Sequence, residues 1–234
     1  MTSDLLLAAL QTRNRTGGTC EENNGFCPSW IVDNFHRYID PFWQHVFLVV
    51  VSVAIGFVIA FSLALIAHRK RWLLPPISAS AQILYAIPSV ALFLLLLPIT
   101  GRGTLTGLVA LTSYTLIFIF VNVTTGLDGV PKESVDAAQG MGLTERQLLW
   151  RVEVPLALPE IFAGLRIATT TTVGLAALAF FAGAGGLGEE INGDKGFQSN
   201  IAVAGALAIG LALVLDLLIL VVQRLMTPWR RAAT

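Results

Sequence analysis

Arg166 and Asp216 are charges set inside long apolar stretches. An isolated charge at the middle of a bilayer costs at least about 2.5–3.5 kcal/mol. Both lie near the inner ends of their stretches, at similar depth, which predicts an ion pair. The alternative is that each snorkels separately to the inner surface. Cys20 and Cys27 are the residues with redox chemistry, and the six between them include Asn23-Asn24-Gly25, which turns easily. A disulfide closing this small loop is expected on an oxidising face, with two free thiols as the alternative. Two cysteines are too few for an all-cysteine zinc site, and His36, His45 and His68 are scattered. No metal site and no catalytic residue is therefore expected. No Gly-x4-Gly-Lys-Ser/Thr phosphate loop occurs, so no nucleotide site of that kind is expected on this sequence. The run Gly183-Ala184-Gly185-Gly186-Leu187-Gly188 lacks a lysine. Its glycines, Gly185 and Gly186 in particular, suit a tight, movable turn at the outer mouth of a path. Pro88 removes a backbone donor and bends its helix, with Tyr85 and Ser89 a turn or less away. That bend is either a kink beside a translocation path or a packing kink.

The elements that must position these residues follow from composition. Of 234 residues, 55% are hydrophobic and 13% charged, against roughly a quarter charged in soluble domains. With mean hydropathy +0.72, this is an integral membrane protein. The balance of 15 Lys+Arg against 15 Asp+Glu excludes a broad basic surface for nucleic acid. Five apolar stretches are long enough to cross a bilayer: 46–67, 72–100, 104–127, 161–183 and 200–222. Connections on one side carry nine Lys and Arg near the span ends, and the other side carries three. The richer side is cytoplasmic. The expectation is an all-α membrane protein of five transmembrane helices, N-terminus outside and C-terminus cytoplasmic. Residues 1–40 form an extracytoplasmic segment, 41–225 the transmembrane domain and 226–234 a cytoplasmic tail. The apolar run 5–10 is too short and lacks the basic flank of a secretory signal.

Residues 128–158 are neither apolar enough to insert nor bland enough to be a linker. Pro131 suits a first helical position, and acidic residues follow where the helix dipole favours them. Gly140 and Gly142 end that helix. Thr144 starts another, with Gln147 completing a capping box, and Pro155 closes it. Two short helices joined by a glycine turn make a compact cytoplasmic knob.

Asp136-Ala137-Ala138, then Gly142, then Val152-x-Val154-Pro155 resembles the EAA loop of binding-protein-dependent ABC importer permeases, with its spacing kept. Asp for Glu at 136, and Val for Ile and Leu at 152 and 154, are the departures. The run Gln82-Ile83-Leu84-Tyr85-Ala86-Ile87-Pro88-Ser89-Val90-Ala91-Leu92 is similar to one in the osmoprotectant branch, whose members carry glycine betaine, carnitine and choline. Methionine importers share a related Gly-Gly-Leu-Gly sequence. The resemblance spans roughly residues 45–225 and implies a permease subunit in the bacterial cell membrane, not itself an enzyme. It implies coupling to a separate ATPase through Asp136, Ala137, Ala138, Gly142 and Pro155, with Asp136 exposed at the contact and the alanines packing closely. ATP and Mg would be held by the ATPase, with no cofactor on this chain. Other implied partners are an extracytoplasmic solute-binding protein, membrane lipids and a second permease copy or paralogue, since five helices cannot enclose a path alone. Methionine or another small amine is the alternative cargo, and an ATP-independent channel or secondary carrier the alternative class.

Overall fold

The computed structural model describes residues 26–193 and 197–228, and every element among them is helical. A short helix α1 (Pro28–Asn34) and a 3-10 turn lead into α2 (Ile39–Arg69). After a second 3-10 turn come α3 (Leu74–Ala86), α4 (Ser89–Thr100) and α5 (Thr104–Asp128). The knob follows as α6 (Lys132–Gly140) and α7 (Glu145–Leu148). A π turn (Leu149–Glu153) runs into α8 (Val154–Ala176). After a 3-10 turn (Ala179–Ala182), α9 (Leu187–Gly193) and α10 (Gln198–Met226) complete the described chain.

The helix α5 is the centre of the bundle, packed by α2, α3, α4 and α8. Lipid tails are as apolar as leucine, so packing between such helices depends on small residues that let backbones approach. Gly164 on α8 lies against α5, where a Cβ would stand 2.6 Å from Asn122 Cβ and 3.0 Å from the Phe118 carbonyl oxygen. Gly126 on α5 lies likewise against Ala157 and Glu160, and Gly56 on α2 against Thr115. Two apolar clusters result. One gathers Leu48, Phe93, Leu111, Tyr114 and Val173, and the other Ala64, Phe120, Val123, Leu149 and Ile161. By contrast α10 is peripheral, with Leu213, Leu217 and Leu225 exposed.

Three segments are long and apolar enough to cross a membrane: the continuous run Pro28–Arg69, α5 and α10. The second expected span is two helices, α3 and α4, meeting at 98°. Pro88 is therefore a break rather than a kink: Ile87 and Pro88 are both extended, at ψ 127° and 133°. The residue before a proline is pushed out of the helical region, and here the chain turns a corner there. The fourth expected span, 161–183, begins earlier and ends earlier, as Val154–Ala176. Pro155 does not close the preceding helix; it sits in the first turn of α8. The helix runs on through it from the π turn, the kind of local adjustment that accommodates a missing N–H. Its prolines, with Glu160, Arg166 and Thr169 to Thr172, make α8 less apolar than its neighbours. Arg166 consequently stands near the middle of α8, not near its inner end.

Candidate functional site

The knob is built by local rules. Pro131 is extended and precedes α6, one residue earlier than expected for a first helical residue. At the other end Gly142 adopts φ 81°. Its N–H donates to the Gln139 carbonyl at 2.8 Å, and that of Leu143 to the Ala138 carbonyl at 3.2 Å. This is a Schellman ending with glycine in the left-handed position. The Thr144 N–H donates to Gln147 Oε1 at 2.9 Å and the Gln147 N–H to Thr144 Oγ1 at 3.4 Å, a complete capping box. Asp136 and Ala137 face outward while Ala138 is buried within the chain itself.

The knob is fastened to the bundle rather than hung from it. Leu148 and Leu149 are buried, Leu149 in the apolar cluster of Ala64, Phe120 and Ile161. Trp150 approaches Phe61 of α2, with ring centroids 6.3 Å apart. At the end of α2, His68 lies 3.4 Å from Glu153 of the π turn and 3.8 Å from Asp128 of α5. Arg71 holds Asp128 at 2.7 Å. A push on α6 or α7 thus reaches α2, α5 and α8 through short, packed contacts. Nothing in the spacing of His68, Asp128 and Glu153 along the sequence announces this junction.

At the opposite end the glycine turn is exposed at Gly183 and buried from Ala184 to Gly188. Gly183, Gly185 and Gly186 all have positive φ. Gln44 of α2 donates from Nε2 to the Ala184 carbonyl at 2.8 Å, and accepts at Oε1 from the Gly186 N–H at 3.3 Å. A Cβ on Gly185 would overlap the Gln44 side chain. The turn expected to be movable is clamped, because a buried turn must find partners for its backbone groups. Nearby, Arg37 pairs with Glu190 at 2.8 Å, and Asn200 accepts from the Tyr38 hydroxyl and donates to the Glu190 carbonyl. Cys27 is buried and its N–H donates to Ser199 Oγ at 2.7 Å. Its expected partner, Cys20, lies outside the described residues.

Between the ends, Arg166 and Asp216 come together. The guanidinium Nε and Nη2 donate to the two carboxylate oxygens, each at 2.7 Å, in a bidentate pair joining α8 to α10. At the α3–α4 break the Tyr114 hydroxyl donates to the Ile87 carbonyl at 2.7 Å, taking up an acceptor that the broken helix leaves free. Tyr85 packs against Tyr114 and Phe118. Ser89 opens α4, with Pro88 as its N-cap. Sequence reasoning picked out Pro88 and Tyr85 but missed Tyr114, which lies 27 residues from Ile87 on another helix. No group of three or more His, Cys, Asp or Glu suited to a metal ion occurs among the described residues.

Residues 33–232 match the family model described as binding-protein-dependent transport system inner membrane component. The chain belongs to that family. The osmoprotectant import permease protein OsmW of Salmonella typhimurium is 38% identical over 206 residues, covering 85% of this permease and 96% of the relative. The carnitine transport permease protein OpuCB of Listeria monocytogenes is 31% identical over 198 residues, covering 84% and 91%. The choline transport system permease protein OpuBB of Bacillus subtilis is 33% identical over 188 residues, covering 80% and 87%. Among solved structures, an inward-facing MetNI methionine ABC transporter chain is 26% identical, with TM-score 0.68, covering 84% of this chain and 96% of that one. An amino acid ABC transporter solved with histidines shares the fold at TM-score 0.70 and 17% identity, covering 83% and 96%. The permease is thus an inner-membrane subunit of an ABC importer. Hydrolysis lies on a partner ATPase, and the family implies an extracytoplasmic binding protein as well.

Proposed function

We propose that the permease takes up compatible solutes bearing a quaternary ammonium group, such as glycine betaine, carnitine or choline. The observation that carries this reading is similarity over four-fifths or more of the chain to permeases named for osmoprotectants, carnitine and choline. Coupling runs through the knob: Asp136 and Ala137 meet the ATPase, Ala138 and the buried Leu148 and Leu149 anchor it, and Gly142 sets the bend. Pro155 lets the chain pass without interruption from the knob into α8. Closure of the ATPase dimer rotates the attached helices and alternates access between the two sides. ATP and Mg reside on that partner, and this chain holds no cofactor.

Five crossings make up the transmembrane domain, residues 41–225, with 1–40 outside and 226–234 in the cytoplasm. The support is that α2 ends and α8 begins at the knob, and that α3 with α4 leads from this end to the turn at Gly103, bonded to the Ala182 carbonyl. Arg69, Lys70, Arg71, Lys132, Arg146 and Arg151 gather at the knob's end, as a cytoplasmic face requires. The other wall of the path comes from a second copy or a paralogue. Cys20 and Cys27 form a disulfide on the outer face.

Reconstitution with its ATPase and binding protein tests the function. ATP-dependent uptake of labelled glycine betaine, carnitine or choline is expected. Uptake of methionine alone would favour the second reading, for which the MetNI likeness speaks. Full-rate transport by this chain in vesicles without any ATPase would instead establish a channel or secondary carrier.

A further inference from the structure

The break between α3 and α4 carries a polar and aromatic face that the coupling machinery does not use. Ser78, Gln82 and Tyr85 are spaced four and three residues apart, one face of α3. Gln82 donates from Nε2 to Ser78 Oγ at 3.0 Å and is otherwise exposed, and Tyr85 is 43% exposed. An amide and a phenol set on a transmembrane element do not face lipid when another surface is available. Non-helical backbone at membrane depth, as at Ile87 and Pro88, is tolerated only against protein or beside a water-filled cavity. The Tyr114 hydroxyl satisfies the Ile87 carbonyl, but the Tyr85 side of the corner stays open. This face therefore turns toward water.

Tyr85 stands nearly perpendicular to two rings of α5: 5.9 Å and 80° from Tyr114, and 5.1 Å and 80° from Phe118. Tyr114 is buried and backs the corner, while Phe118 is half-buried. In an edge-to-face pair one ring's edge meets part of the other's face, and the corner between the two planes leaves negative π surface of both rings within reach of one cation, the kind of contact that holds a quaternary ammonium group. Along α3 and α4 there is no charged residue, and α5 has one only at its end, Asp128. A cation at this corner would meet rings and hydroxyls without a fixed counter-ion. Such a seat attracts the group without trapping it, which suits a site that must empty in every cycle.

We infer that Tyr85 and Phe118 form an aromatic corner on the translocation path that seats the cationic head of a quaternary ammonium cargo as it passes. This rests on the cargo class proposed above and places a recognition step within the membrane. The test uses the full complex of permease, ATPase and binding protein in proteoliposomes, with labelled glycine betaine imported per ATP hydrolysed as the readout. Tyr85→Leu and Phe118→Leu are each expected to lower that ratio about 3- to 30-fold, the range a lost cation–π contact gives. Tyr85→Phe and Tyr85→Trp, which keep a π face, are expected to stay within about twofold of the wild type, a rescue that a purely steric role would not show. Import per ATP unchanged in Tyr85→Leu, or equally lowered in the Phe, Trp and Leu variants, would overturn the inference while leaving the cargo assignment intact. A wild-type complex that imports methionine but no quaternary amine would overturn the cargo assignment and this inference with it.

Discussion

Gly142 combines φ 81° with open space, since no heavy atom lies within 4 Å of where its Cβ would stand. Any L-residue there pays about 1–2 kcal/mol for the left-handed backbone, whatever its size. Size then matters only against whatever the knob docks into. Gly142→Ala is therefore expected to keep at least about half of uptake, while Gly142→Trp, carrying the same backbone strain, keeps ATP hydrolysis and loses about tenfold in solute moved per ATP. Equal losses in the two variants would place the effect in the backbone and not in the docking cleft. The Arg166–Asp216 pair sets up a second comparison. With α8 and α10 both crossing the membrane as proposed, removing either partner leaves a lone charge at depth, at a cost of about 2.5–3.5 kcal/mol, so each single alanine variant should melt several degrees lower in detergent. The double charge swap should recover part of that loss. A swap no better than the worse single variant would show that the two residues act separately.

The α3–α4 corner and the α5–α8 seam are decided by contacts between elements. Tyr114→Phe keeps the ring and deletes only the donor to the Ile87 carbonyl, so about 1 kcal/mol of stability should be lost, read as a lower melting temperature. Gly164 leaves no room between α8 and α5. Gly164→Val drives a branched side chain into Asn122 and the Phe118 carbonyl, which predicts destabilisation of about 1–3 kcal/mol or a poorly extracted protein. Both outcomes bear on the proposed function, in which α5 and α8 carry motion from the knob past the aromatic corner. The half-buried glycines of α10, Gly205 and Gly210, have nothing within 4 Å of an added Cβ and should accept alanine silently when assayed alongside.

At the scale of the whole molecule, the exposed apolar face of α10 and the open Tyr85 corner are surfaces that a single copy leaves uncovered. Mild detergent extraction is expected to bring an ATPase and a second permease chain with this one, and recovery of an active lone chain would count against the assembled path. Membrane-impermeant thiol reagents applied to intact cells should label Cys20, Cys27 being buried, only after reduction, which tests both the disulfide and the side on which residues 1–40 lie. Labelling without reduction would remove the disulfide. Labelling seen only after the membrane is opened would invert the proposed orientation.

The sequence by itself determined the membrane class, the helical character, the knob with its glycine turn and capping box, and the family. Each of these is written locally, in apolar runs, in Gly142 and Thr144 at fixed offsets, or in a short motif. It also put Arg166 and Asp216 forward as a pair, because two costly charges in apolar surroundings have few other remedies. It misjudged Pro155, read as a stop, and understated Pro88, read as a bend within one span, since the effect of a proline is not fixed in one dimension. Whether it ends a helix, begins one or turns a 98° corner depends on who receives the freed carbonyl and where the next helix must go. Only tertiary structure decided that Tyr114 caps the Ile87 carbonyl, that Gln44 clamps the glycine turn and that His68 stands between Asp128 and Glu153. These partners lie far apart along the chain, so no local pattern announces them. They are chosen by which helices pack together, and close packing at small residues is a property of the folded bundle rather than of any segment in it.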